Sequence, residues 1–453
     1  MTLKNSLSKL NPRHWFKDTT VRRIYGNASV LVSGKVIAGL MSPIYVSLAA
    51  HTLGTTQFGV LVLVNAYTLS VAALLTLQGR YALVRYATLC LADGSSDKFK
   101  NLLAFMLLLE LGFGLLSIGV AALLAPYAAE QFSWPSESMP FIILYSLACV
   151  SMMHSMPAGV LFVFGRFNLL SIQQTMGPLV RVAGAALAYV LDSGLNGFLL
   201  AWLAGTLAEA AAQWFFGLRE LSRRGLLKNL LKWPRGVTRE HPGLWRFLLT
   251  NKLNVSLEEL SGRATPLAVG WLLGPAAAGL YQIALKIGMI LAQPVLVIGQ
   301  SLYPELSQLV ADQRFDELRH VVLRTGLIAA ILGVCVLIVL GFFGGNILVL
   351  MGGAGFDAAY AVLILITLAR TLHLLGFPLA SALIAFGKPG AVLKVNLVAM
   401  LVLLPILFGL LQVYGLRGAG LHALMYAAIT VAWMTVVFRQ QMPGRSPPER
   451  PAR

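Results

Sequence analysis

Twelve apolar runs, each about twenty residues or longer, leave this chain one kind of fold. They cover 26–50, 58–78, 101–124, 139–163, 170–191, 197–217, 247–273, 277–300, 322–343, 358–385, 390–411 and 418–438. Each can cross a hydrocarbon core of about 30 Å as a helix, which satisfies its own backbone where water is absent. The expectation is an all-α integral membrane protein of about twelve transmembrane helices. Composition agrees: 57% of the 453 residues are hydrophobic and 12% charged, too few polar residues to cover a soluble core of that richness. Internal prolines (Pro43, Pro157, Pro178, Pro266, Pro294, Pro378 and Pro405) predict kinked spans.

Charge sets the orientation. The loops and tails on one side hold 26 basic residues, and the loops on the other hold one, Arg417. The side rich in Lys and Arg is the cytoplasmic one, so both termini are expected in the cytoplasm of a cell with this plasma (bacterial inner) membrane. The first 25 residues are basic and are followed by a full-length span without a small-residue cleavage site, which reads as an uncleaved first helix. The basic residues are spread over many loops rather than gathered in one reading element, which argues against nucleic acid as a partner. Contact with anionic lipid accounts for them.

The longest inner connection, 218–246, divides the chain. The expected organisation is a cytoplasmic segment 1–25, a six-helix bundle 26–217, the linker 218–246, a second six-helix bundle 247–438 and a tail 439–453. The linker contains RELSRRG and KNLLKWPRG, which fit either an amphipathic surface helix or a plain topology-setting connection. Equal span counts suggest two pseudo-symmetric bundles. SGKVI followed by LGTTQFG in the first is answered by TNKLN followed by LGPAAAG in the second. Lys35 then corresponds to Lys252, and Gly54/Gly59 to Gly274/Gly279, with a three-residue gap.

Charged residues inside the runs are the candidates for function. Six cations lie deep: Lys35, Arg181, Lys252, Arg263, Lys286 and Arg370; Arg324 and Lys394 lie near helix ends, within reach of the interface. The acids in the runs are Glu110, Glu209, Glu258 and Glu259. Each deep cation costs roughly 2.5–3.5 kcal/mol to insert. Four acids cannot neutralise six cations, and the excess implies a water-filled cavity, an anionic ligand or both. On the seventh run, Lys252, Ser256, Glu259 and Arg263 share one helical face, while Asn251, Asn254, Glu258, Ser261 and Thr265 lie nearly opposite. A helix with two polar stripes must be enclosed by others, and Glu259 can pair with Arg263 one turn on. Asn65, Tyr67, His154, Gln173, Gln174 and His373 can line a cavity or form interhelical hydrogen bonds.

Cys90, Cys149 and Cys335 have no ligand spacing, the seven histidines form no HxxxH pair, and GxxxxGK[ST] is absent. No cofactor, metal or ATP chemistry is indicated. Outer loops are too short for a folded catalytic domain, so an enzyme is not expected.

LGTTQFG (53–59), GLYQIALKIGMIL (279–291), LYPELSQL (302–309), ALIAFGKPG (382–390) and YGLRGAGLHALM (414–425) resemble the Wzx-type polysaccharide (O-antigen repeat-unit) flippases of the multidrug/oligosaccharidyl-lipid/polysaccharide (MOP) exporter superfamily. The resemblance implies alternating access through a cationic central cavity between two six-helix bundles. It implies a lipid-linked oligosaccharide diphosphate as substrate, moved to the outer leaflet for lipopolysaccharide or other surface polysaccharide. The deep cations Lys35, Arg181, Lys252, Arg263, Lys286 and Arg370 would contact that anion, and Glu258 or Glu259 would bind a coupling proton or sodium ion. A polysaccharide polymerase complex is an implied partner. The alternative within the superfamily is a MATE-like drug/cation antiporter, which would favour intramembrane acids over cations.

Overall fold

The computed structural model describes residues 19–227, 230 and 233–442; the side chains of 19–28, 254, 258, 290–301 and 303–304 lie outside that description. The described residues form fourteen α-helices and short 3-10 turns, with no strand among them. They are α1 (Thr19–Leu75), α2 (Arg80–Ala92), α3 (Ser96–Phe132), α4 (Met139–Tyr145), α5 (Ser155–Val163), α6 (Phe167–Val190), α7 (Gly194–Arg223), α8 (Val237–Glu240), α9 (Leu244–Leu273), α10 (Pro275–Ala311), α11 (Phe315–Gly352), α12 (Tyr360–Ala385), α13 (Pro389–Tyr414) and α14 (Leu416–Gln441). Among the described residues, eight helical stretches are long and apolar enough to cross a membrane, and the first of them spans Ser29–Leu75. That stretch is long enough for two crossings, and Gly54 (φ 65°, ψ −175°) leaves helical geometry and divides α1 into two helices at a kink. With α4 and α5 counted together, and with α6, α9 and α10, the described helices supply twelve crossings.

One expected span is not a single helix. Over 139–163 the chain forms α4, a 3-10 stretch (Ser146–Met152), a break at Met153–His154, and α5. Such a break exposes backbone groups that lipid cannot satisfy. The protein supplies partners instead: the Glu110 carboxylate accepts from the Ser155 and Met156 N–H groups, and Trp214 Nε1 donates to Met153 O at 2.7 Å.

The chain divides into two compact units. Of the described residues, the first contains 19–52 with 64–130 and 134–260; the second contains 53–63, 131–133 and 261–442. In the first, α2, α3 and α5 bury Leu83, Phe99, Leu102, Leu103, Met156 and Val160 against the linker's Leu230 and Val237. In the second, Leu306, Leu318, Leu383, Val395 and Phe438 form the matching core. The lipid-facing pattern is explicit on α11. Leu323, Leu327, Ile331, Val334, Ile338 and Phe342 are exposed, whereas Val322, Gly326, Ala329 and Gly333 are buried. Small residues inward and large ones outward is the arrangement of a helix packed in lipid rather than water.

Within the linker, α7 continues to Arg223, so the RELSR segment is the end of a spanning helix. The only helix wholly inside the described linker residues is the four-residue α8, and α9 begins at Leu244 before the linker ends. Residues 228–229 and 231–232 of KNLLKWPRG lie outside the described residues.

Candidate functional site

The second unit encloses a cavity of about 280 Å³ between α9, α10, α12, α13 and α14. Each helix contributes positions three or four apart, the spacing that puts side chains on one helical face. These are Ser261 and Thr265 from α9, Tyr281, Leu285 and Met289 from α10, and Ile366, Arg370 and His373 from α12. Met400 and Leu404 come from α13, and His422 and Tyr426 from α14. The neighbouring threonines of α12 are turned away from this chemistry. Thr367 and Thr371 donate to the carbonyls of Leu363 and Thr367 at 2.8 and 2.9 Å, so they are satisfied within their own helix.

Arg370 is the charge of this cavity. Among the described residues its guanidinium has no hydrogen bond or ion pair, and the cavity lining contains no carboxylate. Two imidazoles (His373 and His422) and two phenols (Tyr281 and Tyr426) share the lining with it. A guanidinium with a planar fork of donors, beside groups that donate hydrogen bonds in turn, is suited to an oxyanion such as phosphate. The apolar floor of Leu285, Met289, Ile366 and Leu404 keeps the local dielectric low, which strengthens that attraction.

The other expected site residues are dispersed. In the first unit Arg181 Nη2 donates to Thr206 Oγ1 at 2.9 Å, and its guanidinium lies 5.8 Å from the Tyr45 ring centre. Its side chain crosses Gly205, and Glu209 crosses Gly177, where it receives Gln173 Nε2 at 3.3 Å. Tyr145 donates to Asn65 Oδ1 at 2.9 Å nearby, and Tyr67 to Ala121 O at 2.8 Å. Asn65, Tyr67 and Gln173 thus form interhelical hydrogen bonds.

Lys252 has a defined role that its position in the sequence does not suggest. Its ammonium donates to Ala73 O (2.6 Å) and Thr76 O, where α1 ends. Ser256 donates to Ala73 O at 2.7 Å, and Asn251 to Gln78 O at 2.7 Å. Lys252 and Ser256 from one polar stripe of α9, with Asn251 from the other, therefore cap the carbonyls left open at and just beyond the end of α1. Lys35, its expected counterpart, is exposed on α1, so the two lysines have different surroundings. Arg263, Lys286 and Glu259 are each engaged by partners, and the side chain of Glu258 lies outside those described. Of the six cations, only Arg370 lines the cavity, joined there by His373. The reading from sequence missed Tyr281, His422 and Tyr426. The four-residue spacing of His422 and Tyr426 on an otherwise apolar helix was the available signal.

Residues 24–310 match the family described as Polysaccharide biosynthesis protein, and 253–409 match MatE. A relative, the inner membrane protein YghQ of Escherichia coli (strain K12), is 29% identical over 358 residues, 78% of this chain and 99% of that protein. Among solved structures, an inward-facing multidrug resistance MATE family transporter of the MOP superfamily aligns over 89% of this chain and 95% of its own, with 14% identity and a TM-score of 0.70. A MOP superfamily transporter from Pyrococcus furiosus, described as having a binding pocket of reverse polarity that suggests a different function, aligns over 92% of this chain and 95% of its own, with 15% identity and a TM-score of 0.55. The chain is a multi-pass membrane protein that belongs to the polysaccharide biosynthesis protein family.

Proposed function

We propose that this membrane protein moves a lipid-linked oligosaccharide diphosphate from the cytoplasmic to the outer leaflet of the bacterial inner membrane, with both termini cytoplasmic. The observation that carries this reading is Arg370, a guanidinium without an acidic partner among the described residues, in a cavity lined without a carboxylate. A diphosphate offers the negative charge that this cavity lacks, and a cationic drug would meet like charge there. Lys35, Arg181, Arg263 and Lys286 are proposed to extend the cationic path in their own units. Glu258 or Glu259 would hold a coupling proton or sodium ion, and a polysaccharide polymerase would take the product.

The test is flipping of a fluorescent undecaprenyl-diphosphate oligosaccharide in proteoliposomes holding the full chain. Loss of a charge-assisted hydrogen bond in a dry site costs roughly 1.5–3 kcal/mol. Arg370→Gln should therefore slow flipping about tenfold or more at limiting substrate, and Arg370→Lys should retain part of the rate. Wild-type flipping by Arg370→Gln would overturn the role of the cavity. Efflux of a cationic dye by the wild-type chain, without movement of the lipid-linked glycan, would place it with the drug antiporters instead.

A further inference from the structure

A second concave site lies in the first unit, at the end where the chain is rich in Lys and Arg. It is an open groove of about 550 Å³ whose lining includes Lys98, Lys100, Arg235 and Trp233 together with Asp97 and Glu240. The linker is held in place there. Asn101 Nδ2 donates to Arg235 O at 2.7 Å, and Arg235 N donates to Asn101 Oδ1 at 3.1 Å, a two-way clamp on the linker backbone. Asp97 lies 3.6 Å from Lys100, and Glu240 receives Asn101 Nδ2 at 3.4 Å and keeps its charge, so three cations against two acids leave the groove with a net excess of one positive charge. Lys98 and Arg235 have no ion-pair partner among the described residues.

Beyond the groove's own lining, α3 turns aromatic and then apolar. One turn along α3 from Asn101, Phe105 meets Trp245 edge to face with ring centres 5.6 Å apart, and the apolar run of α3 continues from there. Trp233, 78% exposed, stands beside the cations. An exposed Trp with Lys and Arg, followed by an aromatic pair and then by an apolar face, is the order of groups met on passing from headgroups into acyl chains. We propose that this groove seats the phosphate headgroup of an anionic phospholipid from the leaflet on the linker side, with Lys98 and Arg235 holding the phosphate and Trp233 lying against the glycerol region. The lipid would fasten the linker against α3 at the point where the chain passes between its two halves. The proposal does not depend on what is carried through the Arg370 cavity.

The test is native mass spectrometry of the full chain released from nanodiscs containing equal phosphatidylglycerol and phosphatidylcholine. The wild-type chain should retain phosphatidylglycerol preferentially. The Lys98→Ala/Arg235→Ala pair should lower that retention by about tenfold or more, with an unchanged melting temperature. Trp233→Ala should weaken retention of both lipids. The Arg219→Ala/Arg223→Ala pair removes two exposed cations outside the groove and should leave retention unchanged. Equal retention of the two lipids by the wild-type chain, or equal loss in both double variants, would overturn the proposal. So would displacement of the lipid by millimolar inorganic phosphate, which would make the groove a free-phosphate site.

Discussion

Gly59 and Gly279 press the segment of α1 after Gly54 against the start of α10 with no room for a side chain on either. A Cβ at Gly59 would lie 1.8 Å from Pro275 O, and one at Gly279 would lie 2.5 Å from Thr55 O. The two copies of the LGx4G motif are thus packed on each other. Their first glycines adopt the same geometry, Gly54 at φ 65°, ψ −175° and Gly274 at φ 84°, ψ 174°. Each first glycine makes the turn between spans, and each second glycine lets the backbones approach. Because the contact is with backbone, Gly59→Ala and Gly279→Ala should each cost about 1–3 kcal/mol by overpacking. Gly39→Ala, with nothing within 4 Å, should be near neutral. Thermal unfolding in detergent measures all three.

Glu110 turns the break between α4 and α5 into a stable feature. Its buried carboxylate takes both N–H groups at the start of α5. Glu110→Ala leaves two buried donors without an acceptor, at roughly 1–3 kcal/mol each. Glu110→Gln keeps one acceptor oxygen and should cost less. The expected order of melting temperatures is wild type, then Gln, then Ala. Equal melting temperatures for Gln and Ala would mean that the break does not depend on an acceptor at this position.

The crossings were legible in the sequence because hydrophobicity is a local property. Arg370 was legible because an unpaired charge in an apolar run is conspicuous. The break at Met153–His154 was not, since its stability comes from Glu110 and Trp214, distant in the chain. Lys35 and Lys252 matched by position, yet Lys252 is drawn to carbonyls that exist only because α1 ends at Leu75 and α9 passes that end. Tyr281, His422 and Tyr426 looked like ordinary polar residues of packed helices. What makes them lining residues is the convergence of α10, α12 and α14, which no single helix encodes.

Lys252 and Arg370 should therefore fail in different ways when replaced. Lys252→Met removes a cap on the open carbonyls of α1 and should lower the melting temperature, consistent with a loss of about 1–3 kcal/mol, while leaving the apparent substrate affinity of the folded fraction unchanged. Arg370→Gln should leave the melting temperature near that of the wild type and raise the substrate concentration needed for half-maximal flipping. A paired measurement of unfolding and concentration-dependent transport separates the two. An affinity loss in Lys252→Met at unchanged stability would contradict the capping role.

His241 makes the docking of the linker sensitive to pH. The ring is 5% exposed, lies 5.4 Å from Tyr86, and places Nε2 3.8 Å from Cys90 Sγ. Burial pushes its pKa below the ordinary 6.5; the Glu240 carboxylate opposes this and the Lys98 ammonium adds to it. A depressed folded-state value means that the undocked chain binds the proton more readily. The stabilisation is then fully present above about pH 6.5 and is lost as pH falls from there through the folded-state value. Hydrogen exchange at residues 237–244 should accelerate, after correction for intrinsic rates, between about pH 7.5 and about pH 5.5. His241→Phe keeps a ring against Tyr86 but cannot take up a proton, so its protection should be flat across that range. A slope in the Phe variant equal to that of the wild type would assign the effect to another group.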